Sequence, residues 1–433
     1  MRSDEAPNKH GMIRAAVVLV YMVFGAVLNS VGSINLLAVQ SMGVTQADAA
    51  LLDAYKDMPI AVVSFLVASL LPRLGLRRAM LIGLAFVGVA CALMPTLAAF
   101  VAIKLLFVTI GAAFALVKVA AYSMIGLMTS NDREHASFTN FLEGMFMFGV
   151  LGGYFLFGYA VDDQNPQSTA WLGVYWVMSA IIAVSFVLLF FSPLDETQAQ
   201  PATASSANLL TSLLSDFRSM VQLVLSGLVL VFVLSAFLYV LIEQGVGTWL
   251  PSFNKEVLHM PAAMSVWLAV IMPLSTAIGR LSSAMVIARV GWYALINFCV
   301  IAVAALIILT LPLTINLVVT EKMTWASAPS VAYIFPLIGL FLAPIYPAIN
   351  SVMLSVLPKS RHAAMTGLIV VFSALGGSTG SYITGRLFMA FDGRTAFYFL
   401  LVPVALLTIS LWVFRRSIQS QQLTTPPPSS VHA

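Results

Sequence analysis

Leu71 to Arg78 reads LPRLGLRR, and Ile287 to Trp292 reads IARVGW. Each puts Arg-x-Gly (Arg73-Leu74-Gly75 and Arg289-Val290-Gly291) in a short turn between two long apolar runs. One copy lies in each half of the chain. A second mark repeats in the same way. Gly149 and Gly153 sit in one apolar run and Gly376 and Gly380 in another, each run preceded by His-Ala at His135-Ala136 and His362-Ala363. Glycines four apart share one helix face and let two helices approach closely. One such pair would carry little weight, because glycine is common in membrane helices; two pairs at equivalent places point to a duplicated fold.

Composition names the solvent. Of 433 residues, 60% are hydrophobic and only 9% charged. A soluble domain needs roughly 25% charged residues to face water, so this chain must face lipid. Apolar runs of roughly 20 residues cross the hydrocarbon as helices that satisfy their own backbone hydrogen bonds. Twelve are expected: 12–40, 46–71, 79–98, 101–129, 138–161 and 170–192, then 221–248, 263–286, 292–313, 329–357, 364–389 and 396–414. The fold class is therefore all-α and polytopic, two pseudo-symmetric six-helix bundles. Residues 1–192 form the first bundle, 193–220 a flexible Ala/Ser/Gln/Pro-rich linker, 221–416 the second bundle, and 417–433 a disordered tail. The first run is too long for a cleaved signal peptide and stays as a span. Cys91 and Cys299 each lie inside an apolar run and read as small buried residues.

Basic residues fix the orientation. With both termini cytoplasmic, the inner side receives Arg2, Lys9, Arg14, Arg73, Arg77, Arg78, Arg133, Arg218, Arg289, Lys359, Arg361, Arg415 and Arg416. Only Lys255, Lys322 and Arg394 fall outside. The net charge is only +4, with no dense basic patch, which argues against nucleic-acid binding. The expected location is the inner (plasma) membrane.

Over essentially its whole length the sequence resembles the major facilitator superfamily. The turn after the second span is similar to that family's inner-loop signature, with Ala68, Pro72 and Leu76 in place of its first Gly, its Asp and an Arg. Within the superfamily the resemblance is to the fucose permease group of sugar:proton symporters. It rests on FLYVLIEQGVGTWLPSF (Phe237 to Phe253), on Gly279-Arg280 and on Ile345-Tyr346-Pro347. The resemblance implies alternating access between the two bundles, a sugar as substrate, and a coupling proton. That group carries one acid in span one and another in span four. The matching positions here fall near Gly32 and Lys118, so neither acid is kept.

A charge inside the bilayer costs several kcal/mol unless paired or hydrated, so each one is a candidate for function. Asp53, Lys56 and Asp57 share one face of span two at i, i+3 and i+4. Two acids and one base leave a negative charge over, to be balanced by a proton or by Lys118; the cluster could also be a static ion network. With Glu143 in span five, these are the candidates for proton coupling. Lys118 could hold an anionic substrate or pair with Glu143. Glu243 and Gln244 in span seven, Asn29 in span one, and Tyr346 and Asn350 in span ten complete the expected substrate contacts. Arg280 reads as a snorkelling structural residue, and Lys104 and Arg386 as interfacial anchors. Spans three, six, nine and twelve carry no charge, and in the resembled fold those four are peripheral.

No G-x-x-x-x-G-K-[ST] is present, and no His/Asp/Glu cluster at metal spacing. The expectation is a secondary transporter without catalytic residues, metal or cofactor, working as a monomer on a small polar solute, a sugar or sugar derivative. The alternatives are an organic-anion or carboxylate transporter or exporter using Lys118, and a membrane sensor that binds without transporting.

Overall fold

A computed structural model describes residues 11–129, 132–192, 218, 220–315, 317, 323–358 and 361–424. Most of the expected linker, residues 425–433 of the tail, and Arg2, Lys9, Lys322 and Lys359 lie outside them. The first half holds α1 (Gly11–Leu28 and Val31–Met42), α2 (Gln46–Leu74), α3 (Leu76–Leu97), α4 (Phe100–Met128), α5 (Asp132–Tyr159) and α6 (Val174–Phe191). The second holds α7 (Gly227–Gly247), α8 (Ala262–Ala269 and Ile271–Val290), α9 (Trp292–Thr310), α10 (Val331–Ile334, Ile338–Leu342 and Ile345–Val356), α11 (His362–Ala390) and α12 (Gly393–Phe399 and Leu401–Thr424).

Eleven of these are long and apolar enough to cross a membrane. The twelfth, α2, has 29 residues but carries Asp48, Asp53, Lys56 and Asp57, which lower its apolar character. Thr45 caps it, its hydroxyl oxygen accepting from the Asp48 amide at 3.1 Å. Large apolar side chains such as Phe86, Phe148, Leu281 and Leu309 are exposed. In water that surface would aggregate; against acyl chains it is the outer wall of the bundle.

The duplication is visible in the backbone. Gly75 has φ +82° and ψ 144°, and Gly291 has φ +79° and ψ 155°. Their amides donate to Leu71 O at 3.0 Å and to Ile287 O at 2.9 Å. A side chain is strained in that region, so both Arg-x-Gly turns require the glycine. The close helix approaches repeat as well. A Cβ on Gly149 would overlap the Met22 carbonyl, and one on Gly153 would crowd Ala26, joining α5 to α1. Gly376 and Gly380 meet the Phe237 and Leu241 carbonyls in the same way, joining α11 to α7. Gly111 packs α4 onto the Lys56 backbone of α2, and Gly279 packs α8 onto the Leu340 backbone of α10. The pairs α1–α5 and α2–α4 thus reappear as α7–α11 and α8–α10.

Two expectations need correction. The first run is not one helix. It breaks at Asn29 and Ser30, where Asn29 Nδ2 donates to Gly25 O at 3.1 Å and Ser30 Oγ donates to Val27 O at 2.7 Å. Those side chains take up carbonyls near the break, which is how an interrupted helix survives away from water. The tail was expected to be disordered from 417, yet α12 continues to Thr424.

An even number of crossings puts both ends of the described chain on one face. The halves are tied together towards the opposite face. Gln46 Nε2 donates to Glu256 Oε1 at 2.8 Å, the Ala262 amide to Asp163 Oδ1 at 2.6 Å, and Trp267 Nε1 to Phe155 O at 3.3 Å.

Candidate functional site

A cavity of about 430 Å³ lies between the halves. Its walls come from α1, α2, α4 and α5 of the first half and from α7, α8, α10 and α11 of the second; α3, α6, α9 and α12 contribute nothing to it. Asn29, Asp53, Lys56, Asp57, Lys118, Glu143, Glu243, Gln244 and Tyr346 all line it. The charge-free spans are therefore the ones that stay out of the cavity, as their sequences indicated.

The α2 cluster is buried and crosses between the halves. Lys56 Nζ donates to Asp53 Oδ1 at 2.8 Å and lies 3.5 Å from Asp57 Oδ1. Thr248 of α7 donates its hydroxyl to Asp53 Oδ2 at 2.7 Å. On α11 a Cβ at Gly377 would come within 2.9 Å of Asp57 Oδ2, so the glycine makes room for that carboxylate. Buried ions survive by such pairing, and removing one partner from a buried pair costs about 3–5 kcal/mol. Gly32 of α1 lies beside this junction; a Cβ there would stand 2.8 Å from Thr248 O. The span-one acid of the resembled symporters has no room at that position.

Three further groups surround the open space. Glu243 accepts from Tyr239 Oη at 2.8 Å and lies 3.7 Å from Arg280 Nη2. Tyr239 stacks on Tyr346 with ring centroids 5.4 Å apart, and the Tyr346 hydroxyl reaches Ser373 Oγ at 2.8 Å. Across the cavity Glu143 accepts from the Tyr122 hydroxyl. Tyr21 meets Tyr122 edge-on. Lys118 is exposed into the cavity, its Nζ 5.6 Å from the Phe114 ring centre. No carboxylate among the described residues lies within ion-pairing distance of it.

Sequence reasoning misplaced two residues and passed over others. Asn350 is not in the lining; its Oδ1 is buried without a hydrogen bond. Arg280 does not snorkel away from the site but faces the cavity and engages Glu243. Thr248, Tyr154 and Tyr21 were not singled out, although all three line the cavity. Only Thr248 left a signal, since it stands four residues after Gln244 and so shares its helix face. Lys104, near the N-terminal end of α4, lies over the Phe100 and Tyr55 rings at 4.8 and 5.6 Å.

No curated protein matches the sequence. Among solved structures the chain is similar to a mutant of the nucleoside transporter NupG, with TM-score 0.71, 11% identity, and 93% of this chain and 99% of that one covered. It is also similar to the xylose transporter XylE from E. coli in its inward open conformation (TM-score 0.69, 11% identity, 97% of each chain). FucP in its outward conformation gives TM-score 0.58 at 16% identity, with 94% of this chain and 99% of that one covered. At such identities the likeness shows the fold alone. The sequence of residues 17–337, however, matches the Major Facilitator Superfamily itself. With twelve crossings, an internal duplication and a cavity between the halves, this chain belongs to that superfamily and is a multi-pass membrane transporter, not an enzyme.

Proposed function

We propose that this chain carries a small hydroxylated solute, a sugar or sugar derivative, by alternating access, and that its energy comes from a proton gradient. The observation that carries this reading is the cavity itself. It is closed by inter-half hydrogen bonds at one end, has Tyr346 in its wall with the buried Tyr239 ring stacked behind it, and has acids on both sides. Its volume falls within the range of small-molecule pockets, roughly 300–1,000 Å³. Tyrosine faces and carboxylates suit a ring bearing hydroxyls. The structural neighbours named for sugars and a nucleoside are transporters of such solutes.

Arg77, Arg78, Arg289, Arg415 and Arg416 mark the face that carries the chain ends, and the positive-inside rule supports cytoplasmic termini and an inner-membrane location. The tied end is then periplasmic and the state inward-facing. The α2 acids are the coupling groups in this reading. They sit at the junction that must open, and Asp57 shares Lys56 with Asp53, so it is the acid left to take a proton. The first bundle, linker and second bundle act as one monomeric transporter.

Purified protein in liposomes tests this directly. An imposed inward proton gradient should drive accumulation of a labelled sugar or sugar derivative from a panel, and a protonophore should abolish it. Ligand binding without any uptake would make the protein a sensor and overturn the proposal.

A further inference from the structure

We infer that the transported solute carries a carboxylate, and that it is held jointly by Lys118 from the first half and Arg280 from the second. This rests on the transporter reading above and narrows its substrate to sugar acids and related hydroxy-carboxylates.

The cavity acids are already partnered. Asp53 and Asp57 share Lys56, Glu143 accepts from Tyr122, and Glu243 accepts from Tyr239. Lys118 is the cavity cation with no acid beside it among the described residues, and it is exposed to the open space. A static counter-ion would be seated on its acid; this ammonium has only the Phe114 face. A cation with no acid beside it attracts an anion that enters the cavity.

Arg280 is the second grip. Its contact with Glu243 is a single 3.7 Å approach, too long for a hydrogen bond, and its side chain lines the cavity and is 49% exposed overall. A guanidinium binds a carboxylate through two parallel hydrogen bonds, so a ligand offers it more than Glu243 does. Glu243 keeps its hydrogen bond from Tyr239 when Arg280 turns away, and its side chain, 22% exposed, stays open to the cavity. Tyr346, with the buried Tyr239 ring stacked behind it, lines the cavity with Glu243 and Arg280 and offers such a solute an aromatic contact. Because the cations sit on opposite halves, a bridging carboxylate draws the two halves together, which is the movement alternating access requires.

The test is calorimetry on the purified full-length protein with matched pairs: glucuronate against glucose, galacturonate against galactose, gluconate against sorbitol, and glucose 6-phosphate as the alternative anion. At least one carboxylate should bind more tightly than its neutral partner, and its affinity should fall with added salt. Lys118→Gln and Arg280→Gln should each weaken that carboxylate by roughly tenfold or more, the order expected for losing one charge-assisted hydrogen bond. Glu243→Gln should tighten it, because it frees Arg280; a merely structural Glu243 would not produce that gain. Lys104→Gln, which removes the same charge away from the cavity, is the control and should leave the affinity unchanged. Thermal stability without ligand verifies that each variant is folded. Neutral sugars binding as well as their acids, or Lys118→Gln leaving carboxylate affinity intact, overturns the inference while leaving sugar transport standing. Preference for the phosphate ester over every carboxylate overturns it in favour of a phosphorylated solute. Absence of binding by every compound refutes the inference, and liposome uptake then decides the transporter reading separately.

Discussion

Thr248→Val should open the tied end of the protein. In the structure Thr248 Oγ1 donates to Asp53 Oδ2 at 2.7 Å, with Asp53 fully buried. The bond joins α2 to the C-terminal end of α7 across the two halves, so in the proposed inward-facing assignment it exists in that state and is broken once that end parts. Valine preserves the shape and deletes the donor. A hydrogen bond to a charged group contributes roughly 1.5–3 kcal/mol, and Asp53 retains Lys56, so the lower end applies, about 1.5 kcal/mol. That energy belongs to one state only, so its loss multiplies the ratio of outward-open to inward-open forms by roughly tenfold. An outward-open population of roughly one in twenty would become roughly one in three. The assay is electron–electron distance measurement between spin labels at Asn165 and Lys255, on the two halves at that end, in a background without Cys91 and Cys299. The long-distance population should grow in Thr248→Val and stay near wild type in Thr248→Ser, which keeps the hydroxyl. Unchanged distances in Thr248→Val, or an equal shift in Thr248→Ser, would refute the assignment of this bond as an inter-half latch.

Asp57→Asn should impair uphill, proton-driven accumulation more than ligand binding or exchange; normal accumulation in that variant would remove Asp57 from coupling. Gly149→Ala and Gly380→Ala each force a methyl into a facing carbonyl, so each should lower the unfolding temperature, reflecting a loss on the order of 1–3 kcal/mol. Gly144→Ala, which meets nothing within 4 Å, should not, and equal behaviour of all three would contradict the close-approach account. Single cysteines at Asn165 and Ser205 should react with an impermeant thiol reagent from opposite faces, and labelling from the same face would invert the topology.

The duplicated architecture was legible in the sequence because its marks are local and obligatory. Gly75 and Gly291 can be read without coordinates, since a turn with φ near +80° admits little else. The membrane class followed from charge scarcity, and nine of the ten candidate site residues line one cavity because buried charge is too costly to scatter. Sequence spacing along one helix cannot report partners on another, and that is where the reading failed. Arg280 was taken for a snorkelling residue because its partner Glu243 lies on α7, thirty-seven positions earlier in the chain. Asn350 is four residues from Tyr346 and so shares its side of α10, yet the cavity boundary passes between them. Thr248 is an ordinary threonine until Asp53 is placed against it.

Scaffold and charge divide the work of this fold differently. The glycine contacts are repeated: α1–α5 and α2–α4 in one half, α7–α11 and α8–α10 in the other. Equivalent packing in both halves gives each the same rigid unit, so rocking one against the other changes the contacts between them and little within them. The charges are not repeated. The Asp53–Lys56–Asp57 cluster belongs to α2, while α8, its counterpart, carries Arg280. That asymmetry is what a coupled carrier needs. In the proposed mechanism a proton arriving at α2 acts on the Thr248 junction, whereas a solute arriving at Arg280 acts on the opposite wall. If both halves carried the same charges, one ligand would serve both sites and nothing would link the two fluxes. Here the two events converge on α7, which holds Thr248 at the junction and Glu243 beside Arg280, little more than one helical turn apart. The test of that convergence is the pair Thr248→Val and Glu243→Gln: each should alter the proton dependence of solute binding, and the double variant should not simply add the two effects.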